Sequence, residues 1–318
     1  MSNEKPSYPT KDQGPRTKDQ GRRTKDEGGR VIMSSEKPSY PGARTVGTFF
    51  GLLEIDVTEA ARHPGACDHL RRGELHGVLV HHVYGPDVLG EVVDRLERHD
   101  PPFLKTWFPQ EFRSWFFGRN LNLAPSDLRD YFREAAEFHE HLRCLFPPAM
   151  GITDHVAGIL AQLDHGRPFV AAPGPEPGSR YMFTTLRAHL EGGYIPPHCD
   201  NEQAIRPSFR HLRTLVELPM LSFVLALTLP EAGGALEVYD YRPEPLTEPP
   251  MTGAGARARP KREELDAVSF RIPPGSLIIL DSGRYLHQVS PVAGPRKRWT
   301  ACSFMALNRD RDAMYCWG

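Results

Sequence analysis

Leu186-Arg-Ala-His-Leu-Glu-Gly-Gly-Tyr-Ile-Pro-Pro-His-Cys-Asp200 reads as a strand, a Gly-Gly turn and a second extended segment that ends in His198 and Asp200. Side chains at i and i+2 of extended backbone point the same way, so His198 and Asp200 converge while Cys199 faces away. One more histidine, His287, follows 87 residues after Asp200. Two imidazoles and one carboxylate form the facial ligand set that holds non-haem Fe(II) and leaves coordination positions open. The pattern therefore predicts a metal centre made of His198, Asp200 and His287.

Two further blocks lie downstream. Leu221-Ser-Phe-Val-Leu-Ala-Leu-Thr-Leu-Pro-Glu-Ala-Gly-Gly-Ala-Leu-Glu-Val-Tyr239 reads as strand, Gly-Gly turn, strand. Pro274-Gly-Ser-Leu-Ile-Ile-Leu-Asp-Ser-Gly-Arg-Tyr-Leu-His-Gln-Val-Ser-Pro-Val-Ala-Gly294 carries His287 and leads into Arg296-Lys-Arg-Trp-Thr300. In this order the three blocks resemble the 2-oxoglutarate/Fe(II) dioxygenase superfamily, in particular its prolyl 4-hydroxylase-like branch. The resemblance spans about residues 180–306, and its most specific part is His-x-Val-x-Pro-Val followed by Gly and Arg. It implies a mainly β, α+β fold: a double-stranded β-helix (jelly-roll, cupin-like) with flanking N-terminal helices. It also implies Fe(II), 2-oxoglutarate as cosubstrate, and O2.

In such enzymes the far carboxylate of 2-oxoglutarate meets an Arg about ten residues after the distal His, with a hydroxyl two residues later. A guanidinium suits that role because it pairs bidentately with a carboxylate, and a buried charge without a partner is costly. Arg298, with Thr300 on the same face, matches this pattern, and Arg296 shares the strand parity of Arg298. Both remain candidates, with Arg298 favoured.

Composition narrows the remaining classes. The five cysteines show no C-x-x-C pair and no regular spacing, which indicates neither a disulfide framework nor a zinc site and fits a reduced, cytoplasmic chain. No run of about twenty apolar residues is present and the N-terminus is polar, so neither a membrane span nor a secretory signal is expected. A net charge of -1 gives no electrostatic footprint for nucleic acid.

Residues 1–42 differ in character. Thr10-Lys-Asp-Gln-Gly, Thr17-Lys-Asp-Gln-Gly and Thr24-Lys-Asp-Glu-Gly repeat every seven residues with no apolar residue to form a seam, so a coiled coil is excluded and disorder expected. The opening Met1-Ser-Asn-Glu-Lys-Pro-Ser-Tyr-Pro9 returns at Met33, which marks Met33 as a candidate alternative start. Residues 43–318 then form one catalytic domain.

Within that domain the apolar spacing predicts a strand at 74–82 and helices at 86–99, 126–146 and about 153–163, with Ser126 and Thr153 as caps. The helical stripes read as core. Trp107, Phe108, Phe112, Trp115, Phe116 and Phe117 form an aromatic cluster expected to buttress the barrel or a lid. Residues 243–261, rich in Pro, Gly and Arg, read as a loop. Residues 201–218 leave the metal site carrying Glu202, Arg206, Arg210, His211 and Arg213. From these, Arg206 and Arg210 are the expected forks for a substrate carboxylate and Glu202 a partner for an amino group. Tyr194 and Asn201 flank the ligands, and Arg187 and His189 share a parity on the preceding strand. The sequence thus points to a hydroxylase acting on a small carboxylate-bearing molecule, with neither nucleic acid nor membrane as partner. A protein hydroxylase is the runner-up and a non-catalytic barrel the weaker alternative. Asp200 argues against a halogenase, in which Gly or Ala replaces the carboxylate.

Overall fold

The computed structural model describes residues 40–243 and 260–318. The repeat-bearing leader falls outside the described residues, as does the loop expected at 243–261 except at its ends.

Eight strands build the barrel and are numbered β1–β8: Thr185–His189, Ile195–His198, Leu221–Ala226, Leu236–Tyr239, Ala267–Phe270, Leu277–Leu280, His287–Val289 and Arg298–Leu307. They pair antiparallel in two sheets. One runs β6-β3-β8-β1, and the other runs β5-β4-β7-β2. Two facing four-stranded sheets with this order are the jelly-roll arrangement. The first sheet is extended to eleven strands: by Gly77–His81, Phe50–Asp56 and Arg44–Val46 on one side, by Ser114–Phe117 and Lys105–Trp107 on the other, and by Met314–Trp317 with Phe169–Ala171 along the far end of β8.

Because helices cover the outside of that extended sheet, its strands are buried on both faces and lose the simple polar-apolar alternation. All five residues of β1 are buried. Period-2 geometry still sorts them. On Ser114–Phe117, the rings of Trp115 and Phe117 reach Trp299 on the helix side, at 5.8 and 5.4 Å between centroids. Phe116 lies on the opposite face, directly across from Arg187.

The longer helices among the described residues are α1 (Ala66–Arg72), α2 (Pro86–Glu97), α3 (Arg129–Leu145) and α4 (Ile152–Gln162). Tyr131, Ala135, Phe138, Leu142 and Leu145 form the buried stripe of α3, at the spacing that puts one helix face on a core. Trp299, 1% exposed, donates its indole N–H to Glu97 at the end of α2, at 2.6 Å. Removing that ring would cost about 3–5 kcal/mol from the lost packing.

The expected boundaries shift by a few residues. The helix expected from Ser126 begins at Arg129, because the Asp127 carboxylate accepts from the Arg129 amide at 3.1 Å and completes the entry turn. Gly151 rather than Thr153 precedes α4, and Thr153 sits in its first turn. Among the described residues no helix is long and apolar enough to cross a membrane.

Candidate metal and cosubstrate site

The turn between β1 and β2 needs Gly192, whose φ of 77° lies in the left-handed region that side chains disfavour. It returns the chain so that β2 runs beside β7, with His198 directly opposite His287. Their ring centroids are 4.3 Å apart. Beyond β2, Cys199 is still extended and its Sγ donates to the Gly283 carbonyl, away from the histidines. Asp200 then opens a short helical turn, its amide donating to Ser282 O at 3.0 Å. The expected i, i+2 convergence is realised across the end of the strand.

The His198 and His287 Nε2 atoms lie 3.5 and 3.9 Å from Asp200 Oδ1. One ligand atom from each of the three residues falls within 4.8 Å of the others. Each imidazole donates through Nδ1 to a carbonyl two residues back, Pro196 O at 2.8 Å and Tyr285 O at 3.0 Å. This fixes the tautomer in which Nε2 is the lone-pair nitrogen facing the centre. Asp200 is 1% exposed, and its Oδ2 meets no donor in good hydrogen-bond geometry, with the Ser282 hydroxyl as its neighbour. Burial raises its pKa above the ordinary carboxylate value. A buried carboxylate oxygen without a donor is an expensive arrangement that a bound cation relieves. The donor set fits Fe(II). Gln203, not singled out by the sequence reading, donates to Asp200 Oδ1 at 3.3 Å. Its i+3 spacing from Asp200 was the available signal.

On β8, Arg298 is 5% exposed and Thr300 fully buried, both on the face opposite Trp299. Burial pulls the Arg298 guanidinium down to about 10, still charged at neutral pH. No acidic side chain pairs with it among the described residues. Arg296 is different: it precedes the strand, is largely exposed, and lies 3.6 Å from Glu231. The residues present therefore fit a dianionic cosubstrate with its distal carboxylate at Arg298.

Arg187 and His189 on β1 face the same interior. Arg187 stands opposite Thr300, and His189 opposite Arg298. Arg187 is 9% exposed, its Nε is unpartnered, and its guanidinium lies 4.5 Å from the Phe116 ring and 5.8 Å from that of Phe108. Both ring nitrogens of His189 are buried without a partner. Burial, reinforced by Arg298 and Arg187, holds it well below the ordinary imidazole pKa, so it is neutral.

The cations after the triad take another position. Residues 201–218 fold into short helical turns that bury Phe209 and Leu212, while Arg206, Arg210 and Arg213 are exposed. Arg206 donates to Asn122 O at 2.8 Å. Asn201 accepts from the Met220 amide at 3.0 Å, and Glu202 from the Cys199 amide at 3.3 Å. The Tyr194 ring packs edge-on against Phe112 at 5.4 Å. A cleft of about 890 Å³ is lined by Trp107, Phe108 and Arg113 among others; neither Tyr194 nor any of the triad residues lines it.

The sequence profile of the carrier-protein-independent halogenase WelO5 family matches residues 49–318. A comparison with curated proteins gave no match. Among solved structures, an N-substituted L-amino acid dioxygenase from Burkholderia ambifaria AMMD is 15% identical, with a TM-score of 0.50 over 80% of this chain and 91% of that one. The epimerase SnoN, in complex with Fe3+, alpha ketoglutarate and nogalamycin RO, is 12% identical over 79% of this chain and 84% of its own, with a TM-score of 0.43. A Pseudomonas putida prolyl-4-hydroxylase is 14% identical over 76% and 96%, with a TM-score of 0.36. At 15% identity the likeness to the amino acid dioxygenase is one of fold alone.

Proposed function

The chain belongs to the carrier-protein-independent halogenase WelO5 family of Fe(II)- and 2-oxoglutarate-dependent oxygenases, and from that premise we propose that it is a hydroxylase of a small carboxylate-bearing molecule. In this reading His198, Asp200 and His287 hold the iron, and Arg298 with Thr300 holds the distal carboxylate of 2-oxoglutarate. When bound, iron, 2-oxoglutarate and O2 supply the oxidation, with succinate and CO2 released and one C–H of the substrate converted to C–OH. The chain's own residues do the remaining work. The two Nδ1 bonds keep each Nε2 unprotonated, Gln203 steadies Asp200, and Trp299 behind Arg298 seals the sheet against water. Tyr194, Asn201 and Glu202, next to the triad in sequence, are proposed substrate contacts, and Arg206 and Arg210, on the solvent-facing turns that follow, would reach a substrate only from the outside. Residues 43–318 are the catalytic domain, and five cysteines without a disulfide suit a cytoplasmic setting.

The single observation that carries the reaction type is Asp200. Its carboxylate lies within 4 Å of both Nε2 atoms, where a halide would need vacant space. Halogenation is the second reading, favoured by the family's name. A metabolite screen with Fe(II), 2-oxoglutarate and O2, run with and without bromide and scored for succinate and product mass, separates them. A product heavier by one oxygen supports hydroxylation, and a brominated product overturns it.

A further inference from the structure

We infer that Arg187 anchors a single carboxylate of the substrate inside the barrel, with the substrate's apolar body lying along Phe116 and Phe108. This rests on the iron and 2-oxoglutarate sites proposed above.

Among the described residues five Asp and Arg side chains are buried: Asp164, Arg187, Asp200, Asp281 and Arg298. Asp164 is matched by Arg71 and Arg167, and Asp281 by Arg284. Arg187, Arg298 and Asp200 remain, all facing the barrel interior. A divalent metal and a dianionic cosubstrate cancel one another, which leaves two guanidinium groups against one carboxylate. One positive charge is then unmatched, and a monoanionic substrate matches it. An unpaired buried charge is destabilising enough that such groups are normally paired.

Geometry selects Arg187 as the unmatched group. It faces Thr300 while Arg298 faces His189, so the two cations sit two residues apart along neighbouring strands. Two residues of strand are about 7 Å, enough to serve two different carboxylates. The rings of Phe116 and Phe108 lend Arg187 a cation–π contact. They do not satisfy its Nε, which stays without an acceptor. His189, two residues along the same face of β1, lines the same interior. Phe108 belongs both to this contact and to the 890 Å³ cleft, where Trp107 is 57% exposed. Phe116 and Phe108 thus wall the buried guanidinium on its own face of the sheet, and Phe108 also borders the cleft, a surrounding that suits a ligand with one acid group and an apolar or aromatic body.

The probes are 3-phenylpropanoate and its neutral amide, titrated calorimetrically into the full chain loaded with Mn(II) and 2-oxoglutarate, and again into the metal-free chain. Wild type should bind the acid about tenfold or more tightly than the amide, as expected for a charge-assisted bidentate pair. Arg187→Met should bring the two ligands within about twofold while 2-oxoglutarate affinity changes by less than about threefold. If that variant does not fold, Arg187→Lys should keep the acid preference but weaken acid binding several-fold. Absence of acid preference in wild type, its survival in Arg187→Met, or a large loss of 2-oxoglutarate binding in that variant overturns the inference. Failure of wild type to bind Mn(II) and 2-oxoglutarate would instead overturn the proposed function, and the metal-free titration would still report on Arg187.

Discussion

Replacing Arg298 by Met should separate cosubstrate binding from stability. Arg298 is 5% exposed and has no acidic partner among the described residues. With 2-oxoglutarate bound, removal of the guanidinium leaves a buried carboxylate unpaired, a loss of about 3–5 kcal/mol. At about 1.4 kcal/mol per tenfold, that weakens 2-oxoglutarate binding roughly 140- to 3,700-fold. Arg296 is the control. Its exposed pair with Glu231 is worth about 0–1 kcal/mol, and Arg296→Ala should change 2-oxoglutarate binding threefold or less. Without ligand, however, Arg298→Met removes a buried charge and should melt at or above the wild-type temperature. The assay is an anaerobic titration of the Fe(II)–2-oxoglutarate visible band, with melting curves at increasing 2-oxoglutarate. Wild type should gain stability with ligand concentration while Arg298→Met does not. A larger effect from Arg296→Ala, or an unliganded Arg298→Met that melts well below wild type, would refute the reasoning.

His198→Ala and His287→Ala should each abolish tight Fe(II) binding and the visible band, and equilibrium dialysis with full metal retention in both would count against the triad. Unmodified protein turning over in chloride or bromide should give no halogenated product by mass spectrometry, because Asp200 occupies that position. Burial, with the charges of Arg242 and Arg284, depresses His76 from 6.5 to about 4, so its contribution to stability is complete above pH 6.5 and is lost as pH falls towards 4. At about 1.4 kcal/mol per pH unit this amounts to roughly 3 kcal/mol. His76→Gln should flatten the acid limb of the melting-temperature profile, and parallel profiles would exclude His76 as the cause.

The metal triad was legible because it depends on local rules. His198 and Asp200 share a face by strand periodicity, and the blocks around His287 set the partner strand. The same held for the helices of the outer layer, whose apolar stripes were visible even where their first turns were not. The Ser126 start failed because a neighbouring Asp captured the same amide. Parity, by contrast, could not choose between Arg296 and Arg298. It holds only within a strand, and β8 begins at Arg298, which leaves Arg296 outside with Glu231. The run of cations after Asp200 suggested forks for a substrate carboxylate, a role that spacing leaves without a direction. Burial of Phe209 and Leu212 in that segment instead turns Arg206, Arg210 and Arg213 towards solvent. Arg187 shows the limit most sharply. The sequence placed it on a face but could not say that both faces of β1 are covered, since that depends on Ser114–Phe117 and the helix layer arriving from elsewhere in the chain. Sequence alone determined which residues could meet, through period and spacing. Only the closed barrel decided which charges lost their water, because desolvation is a property of everything packed around a group.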